Sequence, residues 1–165
     1  MPNAIYQNIG GTVVTFSESG GTVTWTPKNR ANGEGRESNQ YDQGVYGTSA
    51  AYWWAYTIFT QAQATPTLKK KLRCFIKRSD GTTVDNDTGT TDANMDDEDK
   101  LSNLLPLISP CVDQAAANVQ FVSRGVIFIP ERYFQIVCYN DMGSAITNDA
   151  AETKAVFRRL YDDVQ

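Results

Sequence analysis

The chain of 165 residues contains no histidine. That absence removes the commonest general base near neutral pH, every Ser-His-Asp or Cys-His arrangement, and the commonest transition-metal ligand. Cysteine is scarce as well. Cys74, Cys111 and Cys138 are too few and too far apart for a disulfide framework and lack the Cys-x-x-Cys spacing of a zinc site, so their expected role is as small buried apolar residues. No Gly-x-x-x-x-Gly-Lys-Ser/Thr loop occurs, and Gly33-Glu34-Gly35 lacks the third glycine and the strand-to-helix setting of a dinucleotide site. No apolar run approaches the roughly 18–20 residues of a membrane helix, and the amino terminus has neither a basic nor an apolar signal region. A soluble protein with no membrane partner is expected. Basic residues are in deficit, 15 Lys and Arg against 19 Asp and Glu, which argues against a general nucleic-acid binder. A pair of carboxylates assembled in space is the one catalytic arrangement left open. With the usual bases and phosphate loops gone, the sequence predicts no catalytic residue, no cofactor and no enzyme activity.

What is present suits a folded core. Hydrophobic residues make up 41% and aromatics 11%, enough apolar surface to offset the entropy of ordering a chain of single-domain size. Thr12–Phe16 and Thr22–Thr26 are short β-branched runs around Ser17-Glu18-Ser19-Gly20-Gly21, which predicts an amino-terminal hairpin and sets residues 1–26 apart as an arm. Residues 27–165 form the main domain in this reading. Pro27 to Gly47 is polar and glycine-rich, a surface connection. From Tyr52 to Ala62 the sequence YWWAYTIFTQA predicts a central strand, with Trp54, Tyr56 and Ile58 on one face and Trp53 and Phe59 on the other.

Leu68 to Arg78 alternates between Leu68, Leu72, Cys74 and Ile76 on one side and Lys69, Lys71, Arg73 and Lys77 on the other, with Lys70 and Phe75 out of step. This predicts an antiparallel strand with one solvated, basic face. Asp85 to Lys100 is strongly acidic and reads as a solvated, mobile loop. Within it, Asp85-Asn86-Asp87-Thr88-Gly89 has the start of a calcium loop. Asp85, Asp87 and Asp96 are weak candidate ligands, because position twelve carries Asp96 where a bidentate Glu would be needed, and no metal is predicted. Pro106 marks an edge strand or bend. Arg132–Asn140 alternates strongly, and Thr153–Tyr161 is assigned as a last strand although Phe157, Leu160 and Tyr161 also match a helical period. Short strands separated by turns, with no crossover helices, predict an all-β antiparallel sandwich, jelly-roll-like.

Adjacent Trp53 and Trp54 point to opposite faces of a strand, so one of them needs a second layer or another chain over it. The aromatic cluster also suits sugar stacking, which keeps a carbohydrate-binding module for host attachment as an alternative.

Several turns and strand ends occur in a distinctive order: Ala31-Asn32-Gly33 with Ser38, Ser79-Asp80-Gly81-Thr82, Ile129-Pro130-Glu131-Arg132-Tyr133, and Val137 through Ala145. Over residues 30–161 this order resembles a family of small structural proteins encoded among tailed-phage head and tail genes, with Met142 standing where that family commonly has Thr. The resemblance implies a virion structural protein of jelly-roll-like fold. In that class the expectation is a capsid decoration or cement protein, made in the host cytoplasm and placed on the capsid exterior. Its partners would be the major capsid protein and copies of itself, as a homotrimer. A tail, baseplate or head-fibre component is the rival placement. On this reading Ile5, Tyr6, Phe16, Trp25, Trp53 and Trp54 are the expected interface residues.

Overall fold

Alternating apolar and polar runs become strands because successive side chains leave a strand on opposite faces. The structure, a computed structural model, describes residues 5–8, 12–44, 53–81, 83–85 and 89–164. The strands are β1 (Ile5–Asn8), β2 (Val13–Ser17), β3 (Val23–Thr24), β4 (Gly35–Glu37), β5 (Tyr41–Asp42), β6 (Trp53–Gln61), β7 (Lys71–Ser79), β8 (Ala93–Asn94), β9 (Leu105–Pro106), β10 (Gln120–Phe128), β11 (Tyr133–Asp141), β12 (Lys154–Arg159) and β13 (Tyr161–Val164). A short 3-10 helix spans Glu98–Asn103. Among the described residues the first sheet runs β10-β6-β12-β2-β3 and the second β8-β4-β11-β7-β9, with β5 also on β11. β1 pairs with β13 in a two-stranded ribbon. The fold is therefore an all-β sandwich, antiparallel in every pairing but one.

The inner faces of both sheets meet in one core. Phe16, Trp54, Tyr56 and Phe157 from the first sheet pack with Phe134 from the second, ring centroids 5.5 to 6.3 Å apart. Fully buried side chains of this kind contribute roughly 1.5–3 kcal/mol each. Trp54 carries a polar tip, and burial demands a partner for it. Its indole N–H donates to Gln43 Oε1 at 2.8 Å, Gln43 Nε2 donates to the Ile129 carbonyl at 2.9 Å, and Arg159 donates to the Gln43 carbonyl at 2.9 Å. The strand predicted from Tyr52 is central, flanked by β10 and β12. The final segment is strand β12, so strand alternation decides over the helical period there.

Two expectations need correction. The amino-terminal runs do not form a hairpin: β2 and β3 pair in parallel, Phe16 beside Val23. Gly21 explains this, because its Cα passes so close to the backbone of Thr15 and Ser17 that a Cβ there would lie 2.8–2.9 Å from their atoms. The chain doubles back against β2, with the Thr22 hydroxyl accepting from Thr15 N–H at 3.3 Å, and then runs forward again. β2 also pairs antiparallel with β12, and Val14, Phe16, Val23 and Trp25 belong to the common core. That stretch is part of the sandwich and no separate arm.

The second correction concerns charge. The basic outer face of β7 is solvated only at its start, where Lys69 and Lys71 are exposed; further along it is covered. Lys77 and Glu37 are fully buried and paired at 2.9 Å. Arg73 pairs with Glu98 on the same outer face, while Arg36 with Asp92 at 2.8 Å and Arg78 with Asp85 at 2.9 Å pair on the opposite side of the sheet, in register with Cys138 and Phe134. Phe75, out of step in the alternation, points outward under this cover and packs with Met95, Leu101, Leu104 and Val137 in a second apolar cluster. The described part of residues 85–100 is a roof.

Candidate binding face

The outward positions of the first sheet have no such roof among the described residues. The register of β10 against β6 sets Phe128 beside Trp53, Val126 beside Ala55, Arg124 beside Thr57 and Val122 beside Phe59. Trp53 is 48% exposed, Phe128 43%, Val126 57%, Val122 41% and, on β2, Val13 41%. The Trp53 and Phe128 rings touch at 5.2 Å between centroids, tilted by 47°. Lone exposed apolar side chains are ordinary, but a contiguous set on one flat face marks an interaction surface.

The charges within the strands of this face are of one sign. Among outward positions of β2, β6, β10 and β12 the ionisable side chains are Arg124, Lys154 and Arg158, with no acid among them. Lys154 Nζ stands 5.6 Å from the centroid of the Phe59 ring. Glu152 stands at one end of the face, accepting from Gln120 Nε2 at 3.2 Å; away from it, in a chain of net charge −4, the cations among the exposed apolar residues favour an acidic partner surface.

Gly125 holds this face in register from the inside. A Cβ there would collide with the Tyr56 ring and hydroxyl, which cross the glycine and accept the Ile108 N–H at 2.8 Å. Burial pushes the Tyr56 phenol up, although the Ile108 bond works against it. Gly125 breaks the sequence pattern because it must admit this ring.

The predicted residues divide. Trp53 lies on the exposed face, opposite to Trp54 as their adjacency required. Phe16, Trp25 and Trp54 are each 0% exposed and are core, so they present no interface. Ile5 and Tyr6 are placed by backbone pairing opposite Val164 and Asp163, and their side chains lie outside the described residues. Asp85 is engaged by Arg78, Asp96 accepts the Gly35 N–H at 3.2 Å, and Asp87 lies outside the described residues. No group of three or more potential metal ligands occurs among the described residues. Val122, Val126 and Phe128 were missed by sequence reasoning, and the signal was available: three apolar residues in step with one another, interrupted only by Arg124, on the face opposite Phe121 and Ile127.

Burial drives the thiol of Cys138 up to about 12 and that of Cys74 well above its ordinary value, while Cys111 is exposed. The two buried thiols stand opposite each other on β11 and β7. An open groove of about 700 Å³ beside the 3-10 helix is lined by Arg73, Glu98 and Leu101 among others. Arg73 and Glu98 satisfy each other there, leaving no convergent unpaired groups of the kind a small-molecule site uses.

A scan against protein-family models found none that matches this chain, and searches of curated proteins and of solved structures returned no match. The fold and the face therefore define the class reached here: an antiparallel β-sandwich with one covered outer face and one that, among the described residues, has no cover.

Proposed function

We propose that the chain is a structural protein of a tailed-phage particle, a capsid decoration protein that docks on an acidic, partly apolar shell surface through the outer face of the first sheet. The observation that carries this reading is the set of exposed apolar side chains on one sheet face, Trp53, Val122 and Val126, with Arg124 and Arg158 among them. A protein with no further partner gains nothing by leaving such a face in water, and binding a larger surface removes its apolar area from solvent. The order of turn motifs over residues 30–161 supports the phage assignment by resemblance. The 47° tilt between the two rings is unlike the flat platform that sugar stacking uses.

The test is reconstitution on purified particles that lack the protein, with copies counted by gel densitometry. Saturation at hundreds of copies is expected, and Trp53→Asp or Phe128→Asp should abolish it. About a dozen copies would move the protein to the tail or a vertex. Equal binding by wild type and both variants would remove the face from the proposal.

A further inference from the structure

We propose that β10 is the docking edge for a second copy of this chain, pairing antiparallel with its own counterpart to join two sandwiches across a two-fold axis. This inference concerns the strand edge and does not depend on what the outer face binds.

The sheet edges differ in length. β3, β8 and β9 are two residues each, whereas β10 runs nine residues and, among the described residues, has a strand on one side only. Very short edge strands protect a sheet from pairing with other chains, and a long open one is a template for it.

The direction of the backbone groups can be worked out from β12. The Leu160 N–H donates to the Trp53 carbonyl at 2.9 Å, continuing the β12–β6 register. Backbone groups alternate in direction along a strand, so Trp54, Tyr56 and Ile58 bond toward β10 and meet Ile127, Gly125 and Ser123. The N–H and C=O groups of Val122, Arg124 and Val126 therefore point away from the sheet, along its open edge. Ile108, 63% exposed, is held near the same edge by its bond to Tyr56.

Symmetry and charge select the partner and the register. Antiparallel pairing of a strand with its own copy is two-fold and self-complementary. Outward groups must meet outward groups, so the allowed registers step by two. One of them sets Arg124 directly against Arg124 of the other copy, which like charge disfavours. The neighbouring register, with its axis at Gly125, sets Arg124 against Val126 and Val122 against Phe128. Every direct outward pair in the central stretch is then free of like charge, Val122 meets Phe128, and Val126 meets the aliphatic stem of Arg124. Pro130, lacking an N–H, ends the stretch. The two outer faces become one continuous surface.

Sedimentation equilibrium of the full chain tests this. The expected mass is twice the 18.3 kDa of one chain. Val126→Pro keeps an apolar side chain and removes a donor that points away from β6, so the fold should persist by circular dichroism while self-affinity falls tenfold or more. Val122→Lys, a solvent-facing change that leaves every backbone group in place, should also yield monomer and serves if the proline variant does not fold. A wild-type chain that stays monomeric at high micromolar concentration, or a dimer or trimer that survives the variants, would overturn the proposal.

Discussion

On the second sheet, outward Phe75 and Val137 are roofed by Met95, Leu101 and Leu104, and outward Lys77 and Arg73 are matched by Glu37 and Glu98. On the first sheet, outward Trp53, Val122 and Val126 stand in water beside cations with no acid among the outward positions. The same strand alternation produced both faces. What separates them is that an acidic segment lies over one, while among the described residues no segment lies over the other. Opposite charge satisfied internally makes structure, and charge of one sign left outside makes a surface for something else.

The comparison breaks most sharply at the buried ion pair. Glu37→Leu leaves Lys77 buried beside an apolar group and should cost about 3–5 kcal/mol in urea unfolding. Adding Lys77→Met should recover most of that loss, since two apolar residues suit the site. Next comes Asp92, which accepts from Thr26 N–H and Oγ1 at 3.2 and 2.6 Å and from Arg36 Nε and Nη2 at 2.9 and 2.8 Å. These bonds hold Arg36 above its ordinary value. Asp92→Ala should cost about 1.5–3 kcal/mol and raise hydrogen exchange in the roof before the core.

On the bare face the effect should be smaller and of another kind. Trp53→Ser loses its ring contact with Phe128, about 0.5–1.5 kcal/mol by thermal unfolding, yet should remove particle binding. The smallest effect belongs to an ion pair on the second sheet that has no roof. Arg132 hydrogen-bonds Asp42 and holds its carboxyl below the usual range. Its contribution is present above the ordinary carboxylate range and is lost as pH falls through the lowered folded value. The melting-temperature difference between wild type and Asp42→Asn should therefore shrink as pH drops from about 5 to about 2.

The strong alternations were legible: Trp53–Gln61 and Tyr133–Asp141 needed only the two-residue period, and both are central strands. The parallel β2–β3 pair was not, because two glycines after a β-branched run signal a hairpin turn and equally permit the close backbone approach that Gly21 makes. The roof was half legible. A basic strand at Lys69–Arg78 and an acidic stretch at Asp85–Asp99 are complementary on sight, but their pairing is made in space, and rules for charge runs treat each alone. Adjacency said that Trp53 and Trp54 face opposite ways but not which is exposed, and the structure puts Trp53 outside and Trp54 in the core, whereas Phe16 and Trp25 were misplaced with the hairpin that was to carry them.

The position of β12 between β6 and β2 has a consequence for how the molecule is made. The penultimate strand of the chain fills the middle of the first sheet, so during synthesis Val14 and Phe16 on one side and Trp54 and Ile58 on the other lack the strand that joins them until residue 159 has emerged. Non-local closure of this kind is slow and leaves apolar edges open meanwhile. Removing the last dozen residues would therefore leave two sheet fragments unable to meet, and a nascent chain with a long demand on chaperones.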